Sequence, residues 1–167
     1  MTHLSKFFSA SLLARAILLT SVVAISSIAV GAQVNKNRAA AVDDKPIFHD
    51  YRGVQIGWLA DEVRKKLGEP ANKGDEQDIF LFGEKELAQI LYDKTTRKVI
   101  TISVDFSSGA AGVLTPQQVF GAEIEAKPDR SKYKLIRYPK AGYWLSYSRT
   151  AGDTPTVSVT ITKIVGQ

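Results

Sequence analysis

Ile100-Thr101-Ile102-Ser103-Val104 and, at an offset of 57, Val157-Ser158-Val159-Thr160-Ile161 alternate aliphatic with small polar side chains without a break. A strand points successive side chains to opposite faces, so each segment buries one face and wets the other. That pattern suits an antiparallel sheet with one solvated side. Working outward, Phe80-Leu81-Phe82 and Ile90-Leu91-Tyr92 precede the first segment. Leu135-Ile136-Arg137 and Leu145-Ser146-Tyr147 precede the second, each at an offset of 55 from its counterpart. The spacing predicts one meander over 79–82, 87–92 and 98–106 and another over 133–138, 143–149 and 156–164. Gly83-Glu84-Lys85-Glu86, Asp93–Arg97, Pro139-Lys140-Ala141-Gly142 and Ala151–Pro155 supply the turns.

Each meander has a short helix ahead of it. Gly57-Trp58-Leu59-Ala60-Asp61-Glu62-Val63 and Gly112-Val113-Leu114-Thr115-Pro116-Gln117-Gln118-Val119 open them. In the first, Val63 and Leu67 lie four apart on one helix face while Arg64, Lys65 and Lys66 face water. Gly68 ends the helix in a left-handed turn, and Pro70 cannot continue it. In the second, Thr115-Pro116-Gln117-Gln118 is a capping box with proline at the first helical position. Val119, Phe120 and Ile124 are its expected buried residues. Helices this short are not stable alone in water and need a sheet to lie on. Ser107–Gly112 is the joint between the units, and Phe48, Tyr51 and Val54 add a strand or turn ahead of the first helix. The expected fold is α+β: tandem helix–β-meander units forming one antiparallel sheet of about six strands, with short helices packed on one face. It occupies residues 47–167 as a single domain of two repeats, about 54–106 and 112–164.

Residues 1–32 have the layout of a secretory signal peptide. Lys6 and Arg15 give a positive leader, Ala16–Ala32 carries no charge, and Val30-Gly31-Ala32 is a small-residue cleavage site. The alternative is an uncleaved N-terminal anchor, for which the uncharged run is at the lower length limit. Either way the remainder is exported, to the periplasm or beyond. Residues 33–46 read as a flexible spacer. The chain has 167 residues and a net charge of +5, and loss of Lys6 and Arg15 leaves 20 basic against 17 acidic residues. Such a weak surplus makes no claim on nucleic acid. The absence of cysteine excludes disulfides, cysteine-held metals, thiol nucleophiles and a lipid on an N-terminal Cys.

Ile56-Gly57-Trp58-Leu59-Ala60-Asp61-Glu62-Val63, followed by Leu67-Gly68-Glu69-Pro70, resembles the opening motif of the small outer-membrane assembly lipoproteins and of relatives with the beta-lactamase-inhibitor-protein-like fold. In those families the motif precedes a strand meander, and tandem copies occur. The match covers about 50 residues. It departs at Leu59, where a capping Thr is usual, which points to a helix start capped differently, by Asp61. It departs also in lacking the lipid-bearing Cys, which argues against anchoring in the lipoproteins' manner. The resemblance implies an exported, non-enzymatic, partner-binding protein.

Chemistry-bearing motifs are sparse. His49 beside Asp50 lacks a G-x-S-x-G elbow. Asp75, Glu76 and Asp78 lack calcium-loop spacing and read as a solvated turn. Glu84 and Glu86 flank a hairpin turn, where charges usually only solvate. Gly109 and Gly112 are not followed by the Lys-Ser/Thr of a phosphate loop. No cofactor, metal or catalytic residue is therefore expected. Charge is polarised, however: Lys127–Arg149 carries seven basic residues against Asp129, whereas Asp75–Glu86 carries five acidic residues against Lys85. Tyr133, Tyr138, Tyr143, Trp144 and Tyr147 are interleaved with the basic residues. Aromatic side chains with Arg on a sheet have the composition of protein interfaces. Arg137, Tyr138, Lys140, Tyr143, Trp144 and Tyr147 are thus the expected partner-binding residues. The expected partner is another protein, acidic in character, with a weak attraction to anionic membrane surfaces alongside it. The alternative is a secreted hydrolase or a glycan- or peptidoglycan-binding accessory using the aromatic face around Tyr143 and Trp144.

Overall fold

Both alternating segments become strands of one antiparallel sheet. The computed structural model describes residues 45–166; the leader over 1–32 and the spacer as far as residue 44 lie outside the described residues. The elements are α1 (Ala60–Leu67), β1 (Asn72–Lys73), β2 (Gln77–Leu81), β3 (Glu86–Tyr92), β4 (Val99–Phe106), α2 (Pro116–Phe120), β5 (Lys132–Tyr138), β6 (Tyr143–Arg149) and β7 (Val157–Lys163), with a 3-10 turn over Pro139–Ala141. Strand order is β1-β2-β3-β4-β7-β6-β5, so the two meanders meet where β4 pairs with β7. Ile102 faces Ile161 there, and Ser103 faces Thr160. The sheet has seven strands rather than about six because the loop after Pro70 adds a two-residue strand on β2.

One face holds the core. Phe80, Ile90, Ile102, Val104, Leu145, Val159 and Ile161 are buried, and Ala60 and Val63 of α1 and Val119 of α2 belong to the same cluster. Leu67, Phe120 and Ile124 are only partly buried against it. The deepest helical positions are therefore Val63 and Val119, one turn earlier than Leu67 and one residue before Phe120. In β4 the alternation slips once: Leu91 pairs with Thr101 but Tyr92 with Val99, a β-bulge that leaves Ile100 over and buries Val99 instead.

The helix ends follow local chemistry. Thr115 accepts from the Gln118 amide at 3.3 Å while the Gln118 side chain accepts from the Thr115 amide at 2.9 Å, a complete capping box. α1 has half of one: the N–H of Leu59, its N-cap, donates to Glu62 Oε2 at 2.8 Å. Asp61 is not the cap; it sits in the first turn, 3.4 Å from Arg64. Ahead of α1, Tyr51 and Val54 exchange backbone hydrogen bonds of 3.0 and 2.9 Å around Arg52 and Gly53, both at positive φ. This is the two-residue hairpin turn of the primed type.

Arg64 and Asp78 tie α1 to β2. Asp78 is fully buried, and Arg64 grips its carboxylate through Nε at 2.8 Å and Nη2 at 3.0 Å. The Tyr92 hydroxyl donates to it at 2.8 Å and the Gly74 N–H at 3.1 Å. The reading of Asp75, Glu76 and Asp78 as one solvated turn is thus wrong for Asp78, because β2 begins at Gln77 and its inward positions are Asp78 and Phe80.

Candidate partner-binding face

The sheet's second face, away from the helices, is uncovered among the described residues. Ladder pairing lays its side chains out in three rows crossing six strands, β2-β3-β4-β7-β6-β5. The first is Gln77, Leu91, Thr101, Thr162, Trp144 and Arg137. Ile79, Gln89, Ser103, Thr160, Ser146 and Leu135 form the second. Leu81, Leu87, Asp105, Ser158, Ser148 and Tyr133 form the third. The centre is thus a field of small hydroxyls, and the larger apolar groups stand toward its two ends.

Hydrogen bonds run across the β4–β7 seam on this face. Thr101 and Thr162 hydroxyls lie 3.3 Å apart, Ser103 and Thr160 hydroxyls 3.0 Å, and Ser158 donates to Asp105. Trp144 is half-buried between Thr162 and Arg137, while Leu81 and Tyr133 remain 58% and 57% exposed at the third row's ends. Trp144 and Arg137 are cross-strand partners on this face, and Trp and Arg are the residue types enriched at binding hot spots.

The six expected binding residues separate according to strand parity. Arg137 and Trp144 reach the open face. Lys140 is exposed in the β5–β6 turn. Tyr138, Tyr143 and Tyr147 do not line the open face: they point to the helix side and are 5%, 7% and 3% exposed. Burial, then the nearby Tyr138 and Asp50, pushes the Tyr143 hydroxyl up to about 12, and burial raises Tyr147 as well. Tyr143 donates to the Phe48 carbonyl at 3.4 Å, so its polar end is used inside the domain. Sequence parity separates Trp144 from the tyrosines but does not say which set faces the helices. Tyr133, Leu135 and Leu81, which complete the rim, were not among the expected residues.

Charge is less symmetric than composition suggests. Most of the acidic stretch is paired within the domain: Asp75 with Arg97 at 3.3 Å, Glu76 with Lys94 at 3.0 Å, Asp78 with Arg64, and Glu86 with Arg52 at 2.8 Å. In the basic stretch, Lys132 meets Glu123 and Arg130 meets Asp153, each at 3.3 Å. By count, basic residues outnumber acidic ones at the β5–β6 end.

A cavity of about 610 Å³ opens elsewhere, lined by Phe48, His49, Asp50, Arg52, Glu86 and Phe106 among others. His49 and Asp50 lie 3.3 Å apart there, and Glu86 is hydrogen-bonded by Tyr51 and Arg52. Tyr51, Arg52 and Glu86 bond to one another there, and among the described residues no serine or threonine lines it as a nucleophile. Among the described residues no group of three or more His, Asp or Glu side chains is placed to hold a metal ion, and no helix is long and apolar enough to cross a membrane. No protein-family model matches the chain, and neither does any curated protein or solved structure with which it was compared.

Proposed function

We propose that this chain is an exported, non-enzymatic binding domain that seats another protein on its open sheet face. The observation that carries the reading is the Trp144–Arg137 pair beside the hydroxyl field, on a face that the described residues leave uncovered. Export rests on the leader pattern of residues 1–32, and N-terminal sequencing of secreted material starting at Gln33 tests it. The resemblance of Ile56–Pro70 to the outer-membrane assembly lipoproteins favours an accessory role in the cell envelope. We read the α1-β2-β3-β4 and α2-β5-β6-β7 series as two copies of one unit, related by an approximate two-fold axis through the β4–β7 seam. With Ile90 matched to Leu145, the ladders match Ile102 to Ile161 and Phe80 to Tyr138, in place of the sequence offsets that set Ile102 against Val159 and the buried Phe80 against Leu135 of the open face.

Crosslinking in the native envelope tests the binding reading. Trp144→Ala with Arg137→Ala should keep the wild-type melting temperature within a few degrees and lose the crosslinked species. An unchanged crosslinking pattern in a folded variant sinks it. A second reading has its own observation: hydroxyls in rows beside an aromatic plane suit a glycan strand as well as a protein. Trp144-dependent retention on peptidoglycan, without a crosslinked protein, would favour it. Tyr143, buried against Phe48, has no part in either reading.

A further inference from the structure

We infer that the outer edge of β5 receives an acidic, extended segment of the partner as an added antiparallel strand. This deepens the proposed function and rests on it: the partner seated on the open face would also continue the sheet.

β5 ends the strand order, so one side of its backbone has no neighbouring strand among the described residues. An exposed edge of this kind is a template for pairing, and proteins ordinarily blunt it with a proline, a bulge, extreme shortness or charged side chains, lysine above all. The opposite end of the sheet is blunted in that way, since β1 has only two residues. β5 is guarded only by its charges: it runs for seven residues, Lys-Tyr-Lys-Leu-Ile-Arg-Tyr, with no glycine, no proline and an unbroken register against β6. What it does carry is charge of one sign.

That charge selects the occupant. The strand has three basic residues and no acidic one. Laid antiparallel in full register, a second copy of β5 would set Lys132, Lys134 and Arg137 opposite Tyr138, Ile136 and Tyr133, so it would bring no counter-charge to any of them. An acidic strand supplies the counter-charges that a second copy lacks. Parity specifies its pattern further. Lys132 and Lys134 lie on the helix side, Lys134 with its ammonium 5.1 Å from the Phe120 ring centre, while Tyr133, Leu135 and Arg137 lie on the open side. A fitting segment therefore alternates acidic residues, toward Lys132 and Lys134, with apolar ones, toward Tyr133 and Leu135. In strand addition the backbone bonds supply affinity and the alternate side chains supply choice.

The test uses the full chain and a synthetic ten-residue peptide alternating Glu with Val. The expected result is slowed amide exchange within Lys132–Tyr138 on addition of this peptide. A version N-methylated at alternate amides along its pairing edge should bind at least tenfold more weakly. Lys132→Glu with Lys134→Glu should weaken the Glu peptide at least tenfold and admit a Lys-for-Glu peptide instead. The single Lys134→Glu variant, which keeps the Lys132–Glu123 pair, serves if the double variant melts early. Unchanged exchange at saturating peptide, or equal binding of the N-methylated version, overturns the proposal. So does protection of the same amides by anionic vesicles or by self-association in the absence of peptide. Peptide failure with Trp144-dependent crosslinking intact overturns the edge and leaves the open-face reading standing. Edge protection with crosslinks indifferent to Trp144 does the reverse.

Discussion

Asp78 faces Ile90 across the β2–β3 ladder, and Ile136 faces Leu145 across the β5–β6 ladder. On the proposed two-copy reading these positions correspond, and one holds a buried acid where the other holds a partly buried isoleucine. The helices differ in step with the strands. Arg64 follows the buried Val63 in α1, and Phe120 follows the buried Val119 in α2. On that reading the first half joins helix to sheet through an ion pair, whereas the second sets Phe120 and Ile136, both partly buried, against the core. What that reading teaches is that one architecture can tolerate either chemistry at this place, provided the buried polar groups are satisfied. Buried ion pairs often contribute no more than an apolar replacement of the same volume, although breaking one is costly.

The sharpest way to break the comparison follows from that asymmetry. Arg64→Ala leaves Asp78 buried without its main cation and should cost about 3–5 kcal/mol in urea unfolding. Arg64→Phe and Asp78→Ile remake the first half on the plan of the second, and Tyr92→Phe, added to them, removes a hydroxyl that would otherwise lose its acceptor. The triple variant should lose far less than Arg64→Ala alone. If it is as unstable as the single variant, the halves are not interchangeable and the comparison is wrong.

Acid titration sharpens the same contrast. Burial opposes ionisation of Asp78 most strongly, but Arg64, Tyr92 and the Gly74 N–H together outweigh it and hold the carboxyl below its usual range. Its contribution is therefore complete above the unfolded carboxyl value, about 4, and is lost as pH falls through the lower folded value. Urea midpoints of the wild type should drop below about pH 4, and the triple variant should show a flatter acid limb. Parallel acid limbs would mean that other carboxylates dominate.

Helix capping separates the halves by a smaller amount. Thr115→Ala removes a full capping box from a five-residue helix and should cost about 1 kcal/mol. Glu62→Ala removes the half box of α1, whose attachment through Arg64 remains, and should cost less. Equal losses in thermal unfolding would show that the ion pair contributes nothing to holding α1.

What could be read from sequence was whatever depends on period and local capping. Alternation located the six longer strands to within about two residues, and Thr115–Gln118 announced α2. The Arg64–Asp78 pair was hidden because its members lie on different elements, and local charge density made Asp78 look like a turn residue. Its one local signal was spacing: Asp78 stands two before Phe80, hence on the same strand face. The bulge at Ile100 was hidden because Val99 and Ile100 are both aliphatic, so composition does not choose between them. For the candidate site, parity grouped the residues correctly into two sets. Which set met solvent depended on where the helices lie, and that is a tertiary fact.

The seam where the halves meet offers the finest test. Ser103 and Thr160 share a hydrogen bond of 3.0 Å at the middle of the β4–β7 ladder, on the open face. Both are half-exposed, so water competes for each hydroxyl. Ser103→Ala, Thr160→Val and the pair, taken as a double-mutant cycle, should give a coupling of about 0.2–1 kcal/mol. A larger value would mean that the seam is an energetic keystone joining two unequal halves. A coupling indistinguishable from zero would place the union of β4 and β7 on the other face, in the contact of Ile102 with Ile161, and leave the hydroxyl rows free for whatever the face binds.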